Sequence, residues 1–241
     1  MAKKKLLRFN ELRDFSNVFQ PHFREILNND FYLKGKWSDE YFKNSNPVIL
    51  ELACGKGEYT TKLAELYPEK NFLGIDIKGA RIFIGAKYAL LNNINNIGFI
   101  RIAIEGLNAF FNKNEINEIW ITFPDPQMKI SRTLKRLTSS RFLNIYSKFL
   151  INNGIIHLKT DNDLLYKYTQ AIIETNHIKV LQQTDDLYAE KNIDKILKIQ
   201  TYYEKKFLSV GKNINYIKFC LPSGMSFSEP AEKFGIIYGV G

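Results

Sequence analysis

A chain of 241 residues with 45% hydrophobic and 14% aromatic content can fill a substantial core, which excludes wholesale disorder. Its formal net charge of +9 and pI near 9.3 point to a polyanionic partner, nucleic acid foremost. Cys54, Cys220 and three scattered histidines form neither a disulfide framework nor a zinc-spaced set, and no run reaches membrane-span length, so a soluble cytoplasmic protein without metal is expected.

Residues 1–45 are basic and aromatic without clean periodicity, and read as an arm packed on the main body. After Pro47 the pattern changes. VILEL is a short apolar strand, ACGKG a turn, and EYTTKLAELYP a helix that stops at Pro68. NFLGID, IGFIRIA and INEIWITF continue as strands, separated by the helical KGARIFIGAKYALLNN and the shorter IEGLNAFF. Beyond a basic loop, TSSRFLNIYSKFLINN predicts a helix, GIIHLKT a strand, DNDLLYKYTQAIIET a helix and HIKVLQQT a strand; NYIKFCL closes the set as an antiparallel strand. This alternation specifies an α/β fold, doubly wound, with a mostly parallel seven-stranded sheet and helices on both faces. It divides the chain into an arm (1–45), a central domain (46–220) and a tail (221–241) that carries no pattern.

Open parallel sheets bind ligands beyond the C-terminal ends of their strands. The first strand ends in LELACGKGEY, where Gly55 and Gly57 let the backbone approach a ligand and the following helix offers free N–H groups. Asp76 ends the second strand about 20 residues on, the place for a carboxylate that accepts both hydroxyls of a ribose. A dinucleotide site wants a third glycine where this chain has Thr60, and Glu51 sits badly beside a pyrophosphate. Beside a cation Glu51 sits well, and S-adenosylmethionine is a sulfonium with an ammonium group.

The segment EIWITFPDPQMKISRTLKR sets an acid, Asp125, between Pro124 and Pro126 at the end of a strand, where the prolines restrict its backbone. Lys129, Arg132, Lys135, Arg136, Arg141, Lys148 and Lys159 follow, with no Asp or Glu between Gln127 and Thr160. Such a stretch suits phosphate contacts. Thr160 and Asp161 precede a helix as candidate caps. Tyr202 and Tyr203 suit base stacking or core packing, His157 reads as a packed histidine and Cys54 as a small core or turn residue. Lys3, Lys4 and Lys5 form a soluble end or an RNA-touching arm.

With these residues placed, the sequence resembles the tRNA (guanine-N7-)-methyltransferase family of the single-subunit bacterial type. The resemblance runs from about Pro47 to Phe219 and rests on LELACGKGEYTTKLA, FLGIDIKGARI, IWITFPDPQMKISRTLKRLTSSRFL, GIIHLKTDNDLLYKY and TYYEKKFLSVG. It implies a class I methyltransferase (Rossmann-like) fold, S-adenosylmethionine as cofactor, and methyl transfer to N7 of the variable-loop guanine, nucleotide 46, of tRNA, by a monomer or homodimer. It assigns the donor side to Glu51, Gly55, Gly57, Asp76, Glu105 and Asp125, and the guanine side to Lys129, Asp161, Thr201 and Glu204, with Asp125 and Asp161 catalytic. The chain departs from the family pattern at Ala53, usually Gly, and at Gln127 and Met128, usually Trp and then Pro or His. The same fold acting on a protein or small molecule, or an RNA-binding module without chemistry, are the rival readings.

Overall fold

Apolar runs flanked by turn residues become strands here because both of their faces are covered, which removes the need for polar alternation. The computed structural model describes residue 8 and residues 10–27 and 29–235, the side chains of Phe23 and Leu27 excepted; Lys3, Lys4 and Lys5 lie outside the described residues. In chain order the elements are β1 (Val18–Phe19), α1 (Phe23–Leu27), β2 (Val48–Leu52), α2 (Glu58–Leu66), β3 (Asn71–Asp76), α3 (Gly79–Leu91), β4 (Ile97–Arg101) and β5 (Ile116–Thr122). They continue with α4 (Ser140–Tyr146), β6 (Leu150–Thr160), α5 (Asp163–Thr175), β7 (Val180–Thr184), α6 (Tyr202–Ser209) and β8 (Asn215–Leu221). Two compact units divide the chain, Met1–Trp120 and Ile121–Gly241, with β5 running across the boundary.

In the first unit, β1, β4, β3 and β2 lie side by side, all parallel. Every residue of β2 and β3 is buried, the polar Glu51, Asn71 and Asp76 included. Helix α2 packs on β3 and α3 on β4. The arm joins this unit through its aromatics: Phe19 meets Trp37 and Tyr41 edge-on at 5.0 and 4.9 Å. Their polar handles are satisfied, Trp37 Nε1 donating to the Phe110 carbonyl (2.9 Å) and the Tyr41 hydroxyl to that of Ile97 (2.8 Å).

In the second unit, β8 runs antiparallel between β6 and β7, the orientation expected for NYIKFCL. Two local expectations are corrected. The helix starting near Ser140 ends at Tyr146, and Leu150–Asn153 belongs to β6, an eleven-residue strand. The described strands number eight rather than seven, the addition being the two-residue β1. The patternless tail is also tied down: Glu229 accepts from the Ser140 amide and the Tyr168 hydroxyl, both at 2.8 Å, and Asn144 and Asn176 bond the backbone at Phe227 and Ser228.

Candidate active site

The first unit builds its site from one glycine turn and two acids. Ala53, Gly55 and Gly57 all have positive φ, 57°, 58° and 70°, so the chain coils left-handed three times before α2 begins. A Cβ on Gly57 would stand 2.7 Å from the Phe99 ring, so this glycine answers both conformation and packing. Ala53 adopts the left-handed conformation at a cost of roughly 1–2 kcal/mol.

Asp76 stitches the turn to the end of β3: Oδ2 accepts from the Gly55 amide at 2.9 Å and Oδ1 from the Lys78 amide at 2.7 Å. Glu51 is buried, and its Oε2 takes the Thr60 amide at 2.8 Å together with the Thr60 hydroxyl. Thr60 N–H is one of the orphan donors of the first turn of α2, so Glu51 caps that helix from the preceding strand. The residue that breaks the dinucleotide fingerprint is thus the one that holds Glu51, a partnership sequence reading missed. Between the two acids, burial first and their charges second push the Cys54 thiol well up, keeping it protonated and unreactive. Glu105 is exposed in the 3₁₀ turn Ile104–Ala109 after β4.

These residues fit a nucleoside with a cationic centre. Each Asp76 oxygen holds one backbone N–H, which leaves each a lone pair for a ribose hydroxyl. Space before the turn is open, since a Cβ built on Gly55 meets only the Ala53 carbonyl, at 4.0 Å.

In the second unit, Asp125 is exposed, and its Oδ1 accepts from the Gln127 amide at 3.0 Å across Pro126. Phe123 and Gln127 both have positive φ, 47° and 48°, so the Pro-Asp-Pro stretch sits between two left-handed residues. Lys129, Arg132, Lys135, Arg141 and Lys148 are exposed beyond it.

Arg136 and Lys159 are not exposed, and this corrects the reading of the whole run as RNA-facing. Arg136 is 0% exposed and donates to the carbonyls of Pro126 (3.2 Å), Gln127 (3.1 Å) and Phe234 (2.8 Å), with its guanidinium 4.5 Å from the Tyr168 ring centre. It ties the post-proline loop to the tail. Lys159 is also 0% exposed; its ammonium donates to the carbonyls of Leu197 (2.8 Å) and Ile199 (3.1 Å) and pairs with Glu204 Oε1 at 2.7 Å.

Glu204 also accepts from the Tyr188 hydroxyl at 2.8 Å, and its Oε2 is buried with no hydrogen-bond partner among the described residues. Burial pushes the Glu204 carboxyl up and the Lys159 ammonium down, in each case against the attraction of the partner. Thr201 caps α6, its hydroxyl accepting from the Glu204 amide at 3.2 Å. Asp161 lies on the rim of a polar cleft of about 1000 Å³, with Met128, Asn162, Tyr166, Lys212 and Asn215 among its other walls. Its Oδ2 pairs with Lys212 at 2.7 Å. The cap of α5 is Asn162, one residue later than expected, with its side chain accepting from the Leu165 amide at 2.9 Å. His157 is buried and bonded to the Tyr216 hydroxyl at 2.8 Å, a packed histidine. Tyr202 and Tyr203 are 57% and 46% exposed, so core packing does not account for them.

The α/β fold, with its glycine turn, strand-end aspartate and helix-capping acid, defines a class I methyltransferase. Solved structures share that fold. The 16S rRNA methyltransferase KamB covers 76% of this chain and 92% of its own at TM-score 0.58 and 12% identity. A 30S ribosomal A1408 methyltransferase from an uncultured bacterium covers 74% and 89% at 0.54 and 20%. A family model described as "Putative methyltransferase" matches residues 45–217. The tRNA (guanine-N(7)-)-methyltransferase of Bacteroides fragilis is 47% identical over 95% of this chain and 90% of its own length. That of Christiangramia forsetii is 49% identical over 90% and 98%.

The chain belongs to the tRNA (guanine-N(7)-)-methyltransferase family of S-adenosylmethionine-dependent enzymes. No described helix is long and apolar enough to cross a membrane, and the described residues contain no group of His, Cys, Asp and Glu arranged to hold a metal.

Proposed function

We propose that this protein methylates N7 of the variable-loop guanine, nucleotide 46, of tRNA in the cytoplasm, as a monomer or homodimer. The observation that carries the reading is Asp161 on a cleft large enough for a nucleobase, in a unit whose surface before it bears exposed cations and no acid from Gln127 to Thr160. Residues 46–220 form the methyltransferase domain in this reading, with residues 1–45 and 221–241 as the arm and tail around it.

Guanine N7 has a free lone pair, so no proton need leave it before attack. S-adenosylmethionine supplies, when bound, an electrophilic methyl on a sulfonium. Asp76 would take its ribose hydroxyls beside the Gly55–Gly57 turn, and Glu105 would stand by its adenine. Glu51 and Asp125 would set negative charge toward its cationic portion. The guanine ring gains positive charge as N7 is alkylated, and carboxylates facing it favour that change. Asp161 serves this electrostatic role and accepts from the guanine N1–H and amino group, a donor edge that adenine lacks. Glu204, 0% exposed and paired with Lys159, holds the first turn of α6 in place rather than touching the base, which corrects its assignment to the guanine side. The Thr201 hydroxyl keeps its proton to give to an acceptor on the base, and Lys129 holds a backbone phosphate. Since these groups position rather than remove a proton, their loss lowers the rate by misplacing the base; in-line positioning as a whole supplies on the order of 7–11 kcal/mol in favourable systems, and a misplacement of about 1 Å costs about a hundredfold.

The test uses radiolabelled S-adenosylmethionine with a native tRNA transcript and one carrying adenosine at position 46. Label on the native transcript alone, released as 7-methylguanine on digestion, is the expected result. Label on both moves the target nucleotide, and label on neither, with donor binding intact, overturns the tRNA reading.

A further inference from the structure

The basic loop is not the only cationic surface on the second unit. Between Lys191 and Lys206 five lysines are exposed: Lys191, Lys195, Lys198, Lys205 and Lys206. A single exposed acid, Asp194, accompanies them, and its carboxylate is turned onto the Ile196 amide at 3.1 Å as the cap of the turn Lys195–Lys198. Within this field stand Tyr202 and Tyr203, their rings in edge contact at 5.6 Å and 77°. Lone exposed apolar groups are ordinary on a protein surface. Two adjacent aromatics among unpaired positive charge are a different matter, because that combination is what single-stranded nucleic acid selects: a π-face for the base and ammonium groups for the phosphates.

The platform also has a fixed foundation. One buried ammonium, that of Lys159, gathers the Leu197 and Ile199 carbonyls and the Glu204 carboxylate. Leu197 belongs to the turn that carries Lys195 and Lys198, and Glu204 to the first turn of α6, which carries Tyr202, Tyr203, Lys205 and Lys206. A lysine hidden from solvent thus pins the exposed cations and rings into one arrangement, and the Tyr188 hydroxyl and Thr201 cap hold Glu204 from two further sides. Preorganisation of this kind lowers the entropic cost of ordering the surface on binding.

We propose that the segment from Lys195 to Lys206 is a second RNA-docking surface, on which Tyr202 and Tyr203 stack on an unpaired nucleobase of the tRNA while Lys195, Lys198, Lys205 and Lys206 hold the flanking phosphates. The inference rests on tRNA being the acceptor. Lys159 and Glu204 act here as positioning residues.

Filter binding of a labelled tRNA transcript to the full-length protein tests it, with donor affinity by calorimetry as the control for folding. Tyr202→Ala/Tyr203→Ala is expected to weaken tRNA binding about tenfold or more, and Tyr202→Phe/Tyr203→Phe to restore it, since stacking rather than the hydroxyls carries the contact. Lys195→Gln/Lys198→Gln/Lys205→Gln/Lys206→Gln should reduce the slope of log Kd against log salt by about 3. Donor affinity should be unchanged throughout. If an Ala variant loses donor affinity, the Phe and Gln variants decide. Wild-type affinity in the Ala variant, an unchanged salt slope in the Gln variant, or a Phe variant as weak as the Ala one would each overturn the surface while leaving the tRNA reading standing. Failure of the wild-type protein itself to bind and methylate tRNA would remove both.

Discussion

The two units hold their candidate acids by opposite means. In the first, Asp76 and Glu51 are held by backbone N–H groups, from Gly55, Lys78 and Thr60, in a stretch of fewer than thirty residues. In the second, Asp161 and Glu204 are held by lysine side chains, Lys212 and Lys159, brought from distant parts of the chain. A backbone donor is fixed by the fold of its own turn and cannot titrate. A lysine partner is a charge in its own right, so the acid's position depends on a second side chain that can be mutated away.

The largest consequence concerns the buried pair. Glu204→Ala leaves the Lys159 ammonium at 0% exposure without its counter-charge, and equilibrium urea unfolding should show a loss of about 3–5 kcal/mol. Lys159→Met/Glu204→Leu should recover most of that stability, because no buried charge remains, while tRNA methylation stays abolished. A double variant as unstable as the single one would mean that the pair serves stability rather than the substrate side.

On the first unit, Asp76→Ala removes the acceptor of two backbone N–H groups and should weaken S-adenosylmethionine binding about a hundredfold or more by calorimetry. A tenfold or smaller loss would show that the turn holds its shape without the carboxylate.

The pair also sets a pH dependence. Burial raises the folded-state pKa of Glu204 above its ordinary 4.5, so its contribution to stability is complete below that value and is lost as pH rises through the folded value. The lowered Lys159 value adds stability only above the usual lysine range, where the ammonium is neutral. The stability of wild type relative to Lys159→Met/Glu204→Leu should therefore fall as pH rises from about 4 toward neutrality, measured as the difference in urea midpoints; a flat difference breaks the assignment.

Smaller effects bear on the caps and the turn. Asn162→Ala should cost about 1 kcal/mol through loss of the α5 cap, whereas Asp161 does not cap and its replacement by Asn should cost less in stability than in activity. Ala53→Gly relieves a left-handed alanine but adds freedom to the unfolded chain, so its midpoint should lie within about 1 kcal/mol of wild type.

What could be read in advance follows the same division. Strands β2 and β3 were legible to the residue, because VILEL and NFLGID are short, mainly apolar runs ended by turns. The positions of Glu51 and Asp76 were legible with them, since they follow from strand ends and a glycine turn. The start of β6 was not: Leu150 and Ile151 continue a helical spacing in the sequence, yet they lie in the strand. Lys159 and Arg136 read as surface cations because charge in a basic run is usually solvated. For Lys159 a signal existed in its place within the apolar strand GIIHLKT; for Arg136 there was none.

By itself the sequence determined the α/β alternation, the glycine turn, the strand-end acids and a net positive surface, because each depends on neighbours in the chain or on composition. Tertiary structure alone decided which cations face solvent, that Thr60 captures Glu51, that Asn162 rather than Asp161 caps α5, and that Lys159 pins the base of an exposed aromatic surface. The reason is physical: whether a charge is buried is set by which carbonyls and carboxylates converge on it, and those arrive from segments far apart in the chain.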